Sequence, residues 1–201
     1  MPTLREQKKA LRRFVLAGRD GLSLAERGAG SAAILARLTE LPEMAAARSV
    51  LCFAAFGSEV DTAALMRWVL AGHKVLAVPL IVGPEQMESR LVTDPDRDLA
   101  PGHWQIPEPD PDLPELSPQS LDVVVVPGSA FGEDGSRVGY GGGFYDAYLG
   151  RAAQAWRVAV AYDLQVLARV PQSGHDLPMD VIVTESRVLR PPRGRAPQTE
   201  G

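Results

Sequence analysis

The residues best suited to chemistry lie in a glycine-rich segment near residue 140. The cluster GYGGG occupies residues 139–143, with Arg137 just before it and Asp146 three residues after it. Bare backbone N–H groups and a helix N-terminus both favour anions, and an arginine makes paired hydrogen bonds to a phosphate. A carboxylate beside bound phosphates would repel them unless a divalent cation lay between, so Asp146 is a candidate metal ligand. The segment predicts phosphate chemistry.

The same segment also suits a structural role. Glycine clusters often form turns, and the helix dipole favours an acidic residue in the first turn. The cluster lacks the Gly-Lys-Ser/Thr ending of the Walker motif and is not a strict dinucleotide fingerprint. Its setting favours a phosphate site, because it follows the valine-rich strand pattern of residues 121–126 and precedes a helical pattern.

Two further places carry charged residues at suggestive positions. Lys8 and Arg12 are four residues apart in a helical pattern over 3–19, so both side chains can reach one point. A solvated basic face is the alternative. Glu59 lies between a predicted strand and a predicted helix, where ligands bind in open α/β sheets. A carboxylate favoured by the helix dipole is the alternative there.

These residues must be positioned by alternating strands and helices. Near-continuous apolar runs predict strands buried on both faces, at residues 49–56, 74–80, 121–126, 156–162 and 180–183, with a shorter strand at 87–92. Helical patterns cover residues 3–19 and 23–39, the residues after Thr62 and those after Asp146, and Pro42 is expected to close the second. The alternation predicts an α/β fold, a single three-layer α/β/α domain with a mostly parallel sheet.

A proline- and aspartate-rich stretch, residues 93–118, is expected to be a long irregular connection. Trp104 within it can anchor the loop on the core or offer a flat face to a flat ligand. The domain is expected to span residues 1–189. The Pro/Arg/Gly-rich tail from 190 to 201 lacks apolar periodicity and is expected to be disordered.

Composition limits the class of protein. The chain has 201 residues, 45% of them hydrophobic, and a net charge of −4, which does not indicate binding to nucleic acid or to an anionic membrane. It shows no membrane-spanning run and no signal peptide, and the single Cys52 fits a reducing cytoplasm. With one cysteine and three scattered histidines a structural zinc site is not expected, while a hard cation held by carboxylates stays open.

Taken in order, the motifs resemble those of the 5-formyltetrahydrofolate cyclo-ligases, also called methenyltetrahydrofolate synthetases. The most specific motif is PGSAFGEDGSRVGYGGGFYDAYL at residues 127–149. The others, weak singly, are KxxLR from Lys8, EVDT from Glu59, WxIPxP from Trp104 and HDxPxD from His175. The chain departs from the family at Phe144, where Tyr is common, and at Gly132, where Asp is usual.

The resemblance implies ATP- and Mg²⁺-dependent conversion of 5-formyltetrahydrofolate to 5,10-methenyltetrahydrofolate, with ADP and phosphate released. Phosphorylation of the formyl oxygen would be followed by ring closure by N10. Separately from the resemblance, we expect a monomer located in the cytoplasm. The residues that the resemblance assigns to ATP, the first three of them also to catalysis, are Lys8, Arg12, Arg137, Gly139, Tyr140, Gly141, Gly142, Gly143, Phe144 and Tyr145. Those that it assigns to the folate are Ala54, Glu59, Trp104, Tyr140 and Phe144. Asp146 and Asp176 would hold Mg²⁺.

Two alternatives remain open at this stage. The chain could be a non-catalytic relative that binds folate or nucleotide, and Phe144 is the one residue that points that way. It could also act on another small formyl or acyl compound. Ligand titration with a phosphate-release assay would separate the first from an enzyme, and competition by folates would decide the second.

Overall fold

A computed structural model describes residues 2–102, 106–174 and 176–192. Its α-helices within those ranges are α1 Leu4–Asp20, α2 Leu24–Thr39, α3 Pro42–Ala46, α4 Ala63–Ala71, α5 Pro95–Asp98 and α6 Phe144–Arg151. The first six strands are β1 Ser49–Leu51, β2 Val75–Gly83, β3 Gln86–Val92, β4 Leu99–Pro101, β5 Pro107–Pro109 and β6 Val123–Val126. The others are β7 Ala130–Gly132, β8 Arg137–Val138, β9 Trp156–Val160, β10 Val166–Leu167, β11 Val181–Val183 and β12 Val188–Leu189.

Seven strands form the central sheet, in the order β12-β11-β9-β6-β1-β2-β3. The pairs from β11 through β2 are parallel, whereas β3 and β12 run antiparallel to their neighbours at the two edges. The prediction of a mostly parallel sheet is confirmed. The chain places β2 on one side of β1 and β6 on the other, so the strand order reverses beside β1.

The valine run of β6 shows why the sheet is covered on both faces. Val123 and Val125 pack in a cluster with side chains of α2, α3 and α4, while Val124 and Val126 pack in another with side chains of α6. Successive side chains of a strand point to opposite faces, so a run of four buried valines needs helices on both sides. The three-layer α/β/α prediction is confirmed.

The two long N-terminal helices begin where the sequence provides capping residues. The side chains of Thr3 and Ser23 each accept a hydrogen bond from the backbone N–H of the glutamate three residues later. In return, the carboxylate of that glutamate accepts a hydrogen bond from the backbone N–H of the capping residue. The predicted first and second helices are confirmed to within two residues. Pro42 was expected to close α2, but α2 ends at Thr39 and Pro42 begins α3. Proline suits the first position of a helix, whose N–H needs no partner within the helix.

Two other predictions were wrong in extent. The strand predicted for residues 49–56 ends at Leu51, because the chain then leaves the sheet to form a wall of a cleft. The stretch 93–118 is less irregular than predicted, since it contains α5 and the antiparallel pair β4–β5. Asp98 organises its start by accepting hydrogen bonds from the backbone N–H groups of Thr93 and Asp94.

A second, three-stranded sheet with the order β10-β7-β8 fixes the position of α1. Val15 of α1 packs against Ala130 of β7 and Val138 of β8 in a small buried cluster. Because β8 leads directly into the glycine loop, this packing brings the cationic residues of α1 to that loop.

In the described part of the chain, none of the helices combines the length and apolar character needed to cross a membrane. Of the tail predicted from residue 190, only Arg190, Pro191 and Pro192 are described, and Arg190 forms an ion pair with Glu43. Residues 193–201 lie outside the described residues.

Candidate active site

A cleft of about 960 Å³ opens where the strand order reverses. Ala54 after β1 and Pro127 after β6 line it, and both follow the carboxyl ends of parallel strands. Open α/β sheets bind ligands at such a reversal, because the loops of adjacent strands diverge there and leave a crevice.

All the predicted site residues but one line this cleft. They are Lys8, Arg12, Ala54, Glu59, Arg137, Gly139, Tyr140, Gly141, Gly142, Gly143, Phe144, Tyr145, Asp146 and Asp176. Trp104, predicted to lie against the folate, is outside the described residues, and so is His175. The structure thus brings together side chains that are far apart in sequence, and their individual roles stay predictions.

The glycine loop presents unused backbone donors to the cleft. Within the described residues, no backbone N–H from Tyr140 to Asp146 donates a hydrogen bond to a protein acceptor. α6 begins at Phe144, so three of these N–H groups belong to its first turn, where a helix offers donors without internal partners. Seven adjacent donors at a helix N-terminus favour an anion.

The glycines are required by the loop backbone and by the arginines packed on it. Gly141 has φ +106° and Gly143 has φ +73°, which residues with a side chain rarely adopt. A Cβ at Gly139 would lie 2.7 Å from Arg137 Nη1, and one at Gly141 would lie 3.3 Å from Arg12 Nη2. Glycine therefore allows two guanidinium groups to approach the loop.

Three cationic side chains of the cleft lining each have an oxygen partner. Arg12 Nε donates to the Gly139 carbonyl at 2.9 Å, and Arg137 Nη2 donates to Asp146 Oδ1 at 2.7 Å. Lys8 forms an ion pair with Asp176. Burial disfavours the charged form of Asp176, but hydrogen bonds from Lys8 and Ser173 outweigh it and hold its pKa below the usual value.

The other half of the cleft centres on Glu59. Tyr140 Oη donates to Glu59 Oε1, and the Phe56 backbone N–H donates to Glu59 Oε2 at 2.9 Å. Arg19 Nη1 donates to Tyr140 Oη at 2.7 Å. Burial raises the pKa of Glu59, while the hydrogen bonds from Tyr140 and Phe56 and the charge of Arg19 oppose the rise.

Tyr145 lines the cleft and carries a buried hydroxyl group that makes no hydrogen bond to the described part of the chain. Its Oη has no hydrogen-bond partner among the described residues, and burial raises its pKa well above the usual value. Arg137 lies over its ring, with Cζ 5.9 Å from the centroid, and Arg137 Nε is likewise buried without a described partner. Buried polar groups are normally hydrogen-bonded, so these two atoms are exceptions among the described residues of the cleft lining.

Comparisons with known proteins agree with the motifs in this cleft. The sequence profile of the 5-formyltetrahydrofolate cyclo-ligase family matches residues 4–185. The chain belongs to this family. It is 32% identical over 161 residues to the 5-formyltetrahydrofolate cyclo-ligase of Escherichia coli K12, covering 76% of this chain and 86% of that one. The Mus musculus protein of the same name is 27% identical, with 91% and 96% covered.

A solved structure of a relative has the same fold. The Aquifex aeolicus 5,10-methenyltetrahydrofolate synthetase superposes with a TM-score of 0.82 at 36% sequence identity, covering 94% of this chain and 95% of that one. The cyclo-ligase fold therefore extends over nearly the whole chain, and the resemblance noted from the motifs is confirmed.

Sequence reasoning missed part of the lining of this cyclo-ligase cleft. The additional cationic residues are Arg5, Lys9 and Arg19, and the additional large apolar ones include Phe53, Phe56, Ile81, Met87 and Ile106. The sequence could have predicted that Arg19 lies in the cleft, because it follows Arg12 by seven residues and is therefore on the same helix face. No sequence pattern marks the apolar lining residues, since strand patterns do not show where a strand leaves its sheet.

The magnesium that the resemblance implies stays a prediction. Asp146 and Asp176 line the same cleft as the unused N–H groups, and carboxylate oxygens are ligands that Mg²⁺ accepts. Within the described ranges no group of three or more His, Cys, Asp or Glu side chains could hold a metal ion. These carboxylates fit an ion that takes its remaining ligands from phosphates and water, the usual arrangement for Mg²⁺.

Proposed function

We propose that this protein is a 5-formyltetrahydrofolate cyclo-ligase. It would convert 5-formyltetrahydrofolate to 5,10-methenyltetrahydrofolate with consumption of ATP and release of ADP and phosphate. The observation that carries the proposal is that two halves meet in one cleft, a loop of unused N–H donors contacted by Arg12 and Arg137 and an apolar half holding Glu59. The reaction is the one that the names of its relatives describe.

The chemistry suits such a cleft. A formyl oxygen is a poor leaving group, and the nucleotide supplies the phosphoryl group that turns it into a good one. N10 then bonds to the formyl carbon and loses its proton, the carbon–oxygen bond breaks, and phosphate leaves with that oxygen. Phosphoryl transfer needs chiefly in-line positioning and charge neutralisation, so a dedicated general base is not required for it.

The residues of this chain divide the work by position. Lys8, Arg12 and Arg137 line the same cleft as the glycine loop and would hold and neutralise the phosphates, together with the N–H groups of the loop. Asp146 and Asp176 would hold magnesium, which shields the charge of the transferred group when bound.

The folate half would be supplied by the other wall. Glu59 can accept hydrogen bonds from N–H groups of a reduced folate, and Ala54 and Phe144 lie on the same lining. Phe144 brings a ring without the hydroxyl group that is common in the family, so contact there would be through packing alone.

The decisive experiment is a spectrophotometric assay of the purified protein with 5-formyltetrahydrofolate. We expect near-ultraviolet absorbance of the methenyl product to rise with ATP and Mg²⁺ together and not without ATP. No turnover by protein with a native circular dichroism spectrum would overturn the proposal. Calorimetric titration then tests the alternative, because a non-catalytic binder would keep folate or ATP affinity without phosphate release.

The proposal includes three properties predicted from the sequence. The enzyme would be a monomer, would act in the cytoplasm, and would have its catalytic domain within residues 1–189. Its single cysteine, Cys52, is buried in the core, which suits a compartment where disulfides are not formed.

A further inference from the structure

Arg19 is a buried cation of the cleft lining to which the proposed function gives no role. It lies in the last turn of α1, is 6% exposed and lines the cleft. Its Nε donates to Ser58 Oγ at 2.9 Å, its Nη1 donates to Tyr140 Oη at 2.7 Å, and its Cζ lies 5.8 Å from the centroid of the Tyr140 ring. Burying a charge costs free energy unless the charge is paired and hydrogen-bonded. The contacts of Arg19 with Ser58 and Tyr140 therefore indicate a specific role for this side chain.

The contact with Arg19 determines what the Tyr140 hydroxyl can do. A phenol has one proton to donate, and an arginine has donors only. Because Tyr140 Oη accepts from Arg19, its own proton is available for Glu59 Oε1, to which it donates. The Phe56 N–H holds the second carboxylate oxygen at 2.9 Å, so Glu59 is fixed from two sides.

A second set of bonds holds Arg19 itself. Ser58 Oγ donates to Asp20 Oδ1, which leaves the serine oxygen free to accept from Arg19 Nε. The end of α1, the segment after β1 and the glycine loop are therefore joined at one point. These three segments contain the residues proposed above for the nucleotide and for the folate.

We propose that Arg19 is a positioning residue that orients Tyr140 toward Glu59 and thereby shapes the folate half of the cleft. The inference rests on the proposed function, since it assigns a role in that same site. Arg19 would act through Tyr140 and Glu59, without contacting the reacting atoms itself.

Removing the charge of Arg19 has a consequence for Glu59 that can be measured without any ligand. Among the described residues, the ionisable groups that interact with Glu59 are Arg19 from α1, Tyr140 from the glycine loop and Tyr145 from α6. Arg19 is the cation among them. Without it, the Glu59 carboxylate becomes harder to ionise, so its pKa rises and Glu59 takes up a proton at a higher pH.

The test compares Arg19→Met, Arg19→Lys and Tyr140→Phe with the unmodified protein and with Arg13→Met as a matched control. Arg13 lies on the same helix, is exposed and does not line the cleft. Calorimetry measures binding of 5-formyltetrahydrofolate and of ATP separately. We expect Arg19→Met to weaken folate binding about tenfold, as for loss of a charge-assisted hydrogen bond. ATP binding should change much less, Arg19→Lys should restore part of the loss, and Arg13→Met should have no effect.

A double-mutant cycle separates positioning from structural support. If Arg19 acts through the tyrosine hydroxyl, Arg19→Met should weaken folate binding far less in the Tyr140→Phe protein than in the unmodified one. Full additivity, or equal losses of folate and ATP affinity together with a lowered melting temperature, would show that Arg19 serves only to anchor α1.

Carboxylate ¹³C NMR of the ligand-free proteins, with Glu59→Gln to assign the resonance, gives the readout that is independent of activity. We expect the Glu59 titration to move to higher pH in Arg19→Met. An unchanged titration would overturn this inference even if the enzyme turns over normally. Absence of turnover by the unmodified protein would instead refute the proposed function, while the NMR comparison would still decide the role of Arg19.

Discussion

Arg137 and Asp146 form an ion pair across the glycine loop, with 2.7 Å between Arg137 Nη2 and Asp146 Oδ1. The arginine side chain is 4% exposed and the aspartate side chain 35%, so the carboxylate faces the cleft while the guanidinium is enclosed. An anion that took over the donors of Arg137 would leave Asp146 in need of another cation. In the proposed function, this pair would therefore link phosphate binding to metal binding.

Asp146→Asn tests that link. We expect the Mg²⁺ concentration for half-maximal rate to rise and kcat to fall, each about tenfold or more, because the amide oxygen is a weaker ligand than the carboxylate. The measurement is steady-state turnover at varied Mg²⁺ and saturating ATP. Asp112→Asn, exposed and away from the cleft, is the control. An unchanged Mg²⁺ dependence would leave Asp146 as a residue favoured only by the helix dipole.

Tyr145→Phe tests the unsatisfied hydroxyl group. Removing a buried polar atom that has no described partner should leave the melting temperature equal or higher, because the hydroxyl makes no stabilising hydrogen bond in the ligand-free protein. Folate affinity should fall about tenfold if a ligand atom normally completes that hydrogen bond. Calorimetry and thermal unfolding give the two values.

The matched control for Tyr145 lies on the same helix. Tyr148 is fully buried and its hydroxyl hydrogen-bonds Ser89, outside the cleft. Tyr148→Phe should therefore lower the melting temperature and leave folate affinity unchanged. The opposite pattern, with Tyr145→Phe destabilising and folate affinity intact, would assign Tyr145 to the core.

Cys52 should be unreactive in the native protein. Burial raises the pKa of its thiol to about 12, and the hydrogen bond with Thr62 offsets only part of that rise. Thiolate is the reactive form, so a disulfide reagent at about pH 8 should label the protein only after denaturant is added. Labelling is measured by the absorbance of the product that the reagent releases. Rapid labelling of the folded protein would contradict the burial of Cys52.

Asp98 should make stability dependent on acid pH. Its pKa is lowered by the hydrogen bond from Arg97 and by the N–H groups of Thr93 and Asp94, against the effect of burial. A carboxyl group with a lowered pKa stabilises fully above its unfolded value of about 4 and loses that contribution as the pH falls toward its folded value.

Thermal unfolding of Asp98→Asn between about pH 3 and pH 7 checks this sign. The variant should be less stable than the unmodified protein at neutral pH, by about 1–2 kcal/mol, and the gap should narrow toward acid. Asp96→Asn is the control from the same segment, because its side chain is 74% exposed and its pair with Arg67 contributes little. A gap that stays constant with pH would mean that Asp98 acts through packing.

The sequence by itself determined the elements and the kind of loop. Four consecutive valines at residues 123–126 predict a strand buried on both faces, and the structure covers that strand on both sides. The order of Arg137, the glycines and Asp146 along the chain predicts a loop that opens a helix, and α6 begins directly after Gly143. Such patterns are local, and periodicity and turn chemistry suffice to read them.

Tertiary structure decided which distant residues meet. Lys8 pairs with Asp176 across 168 positions, and Arg19 reaches Tyr140 across 121. The packing of α1 on the small sheet and the reversal of strand order beside β1 create those contacts, and neither is encoded in a local pattern. The same holds for β1, whose apolar run continues past Leu51 although its strand does not. An apolar run reports burial, and only the fold shows whether a residue is buried in the sheet or in the wall of a cleft.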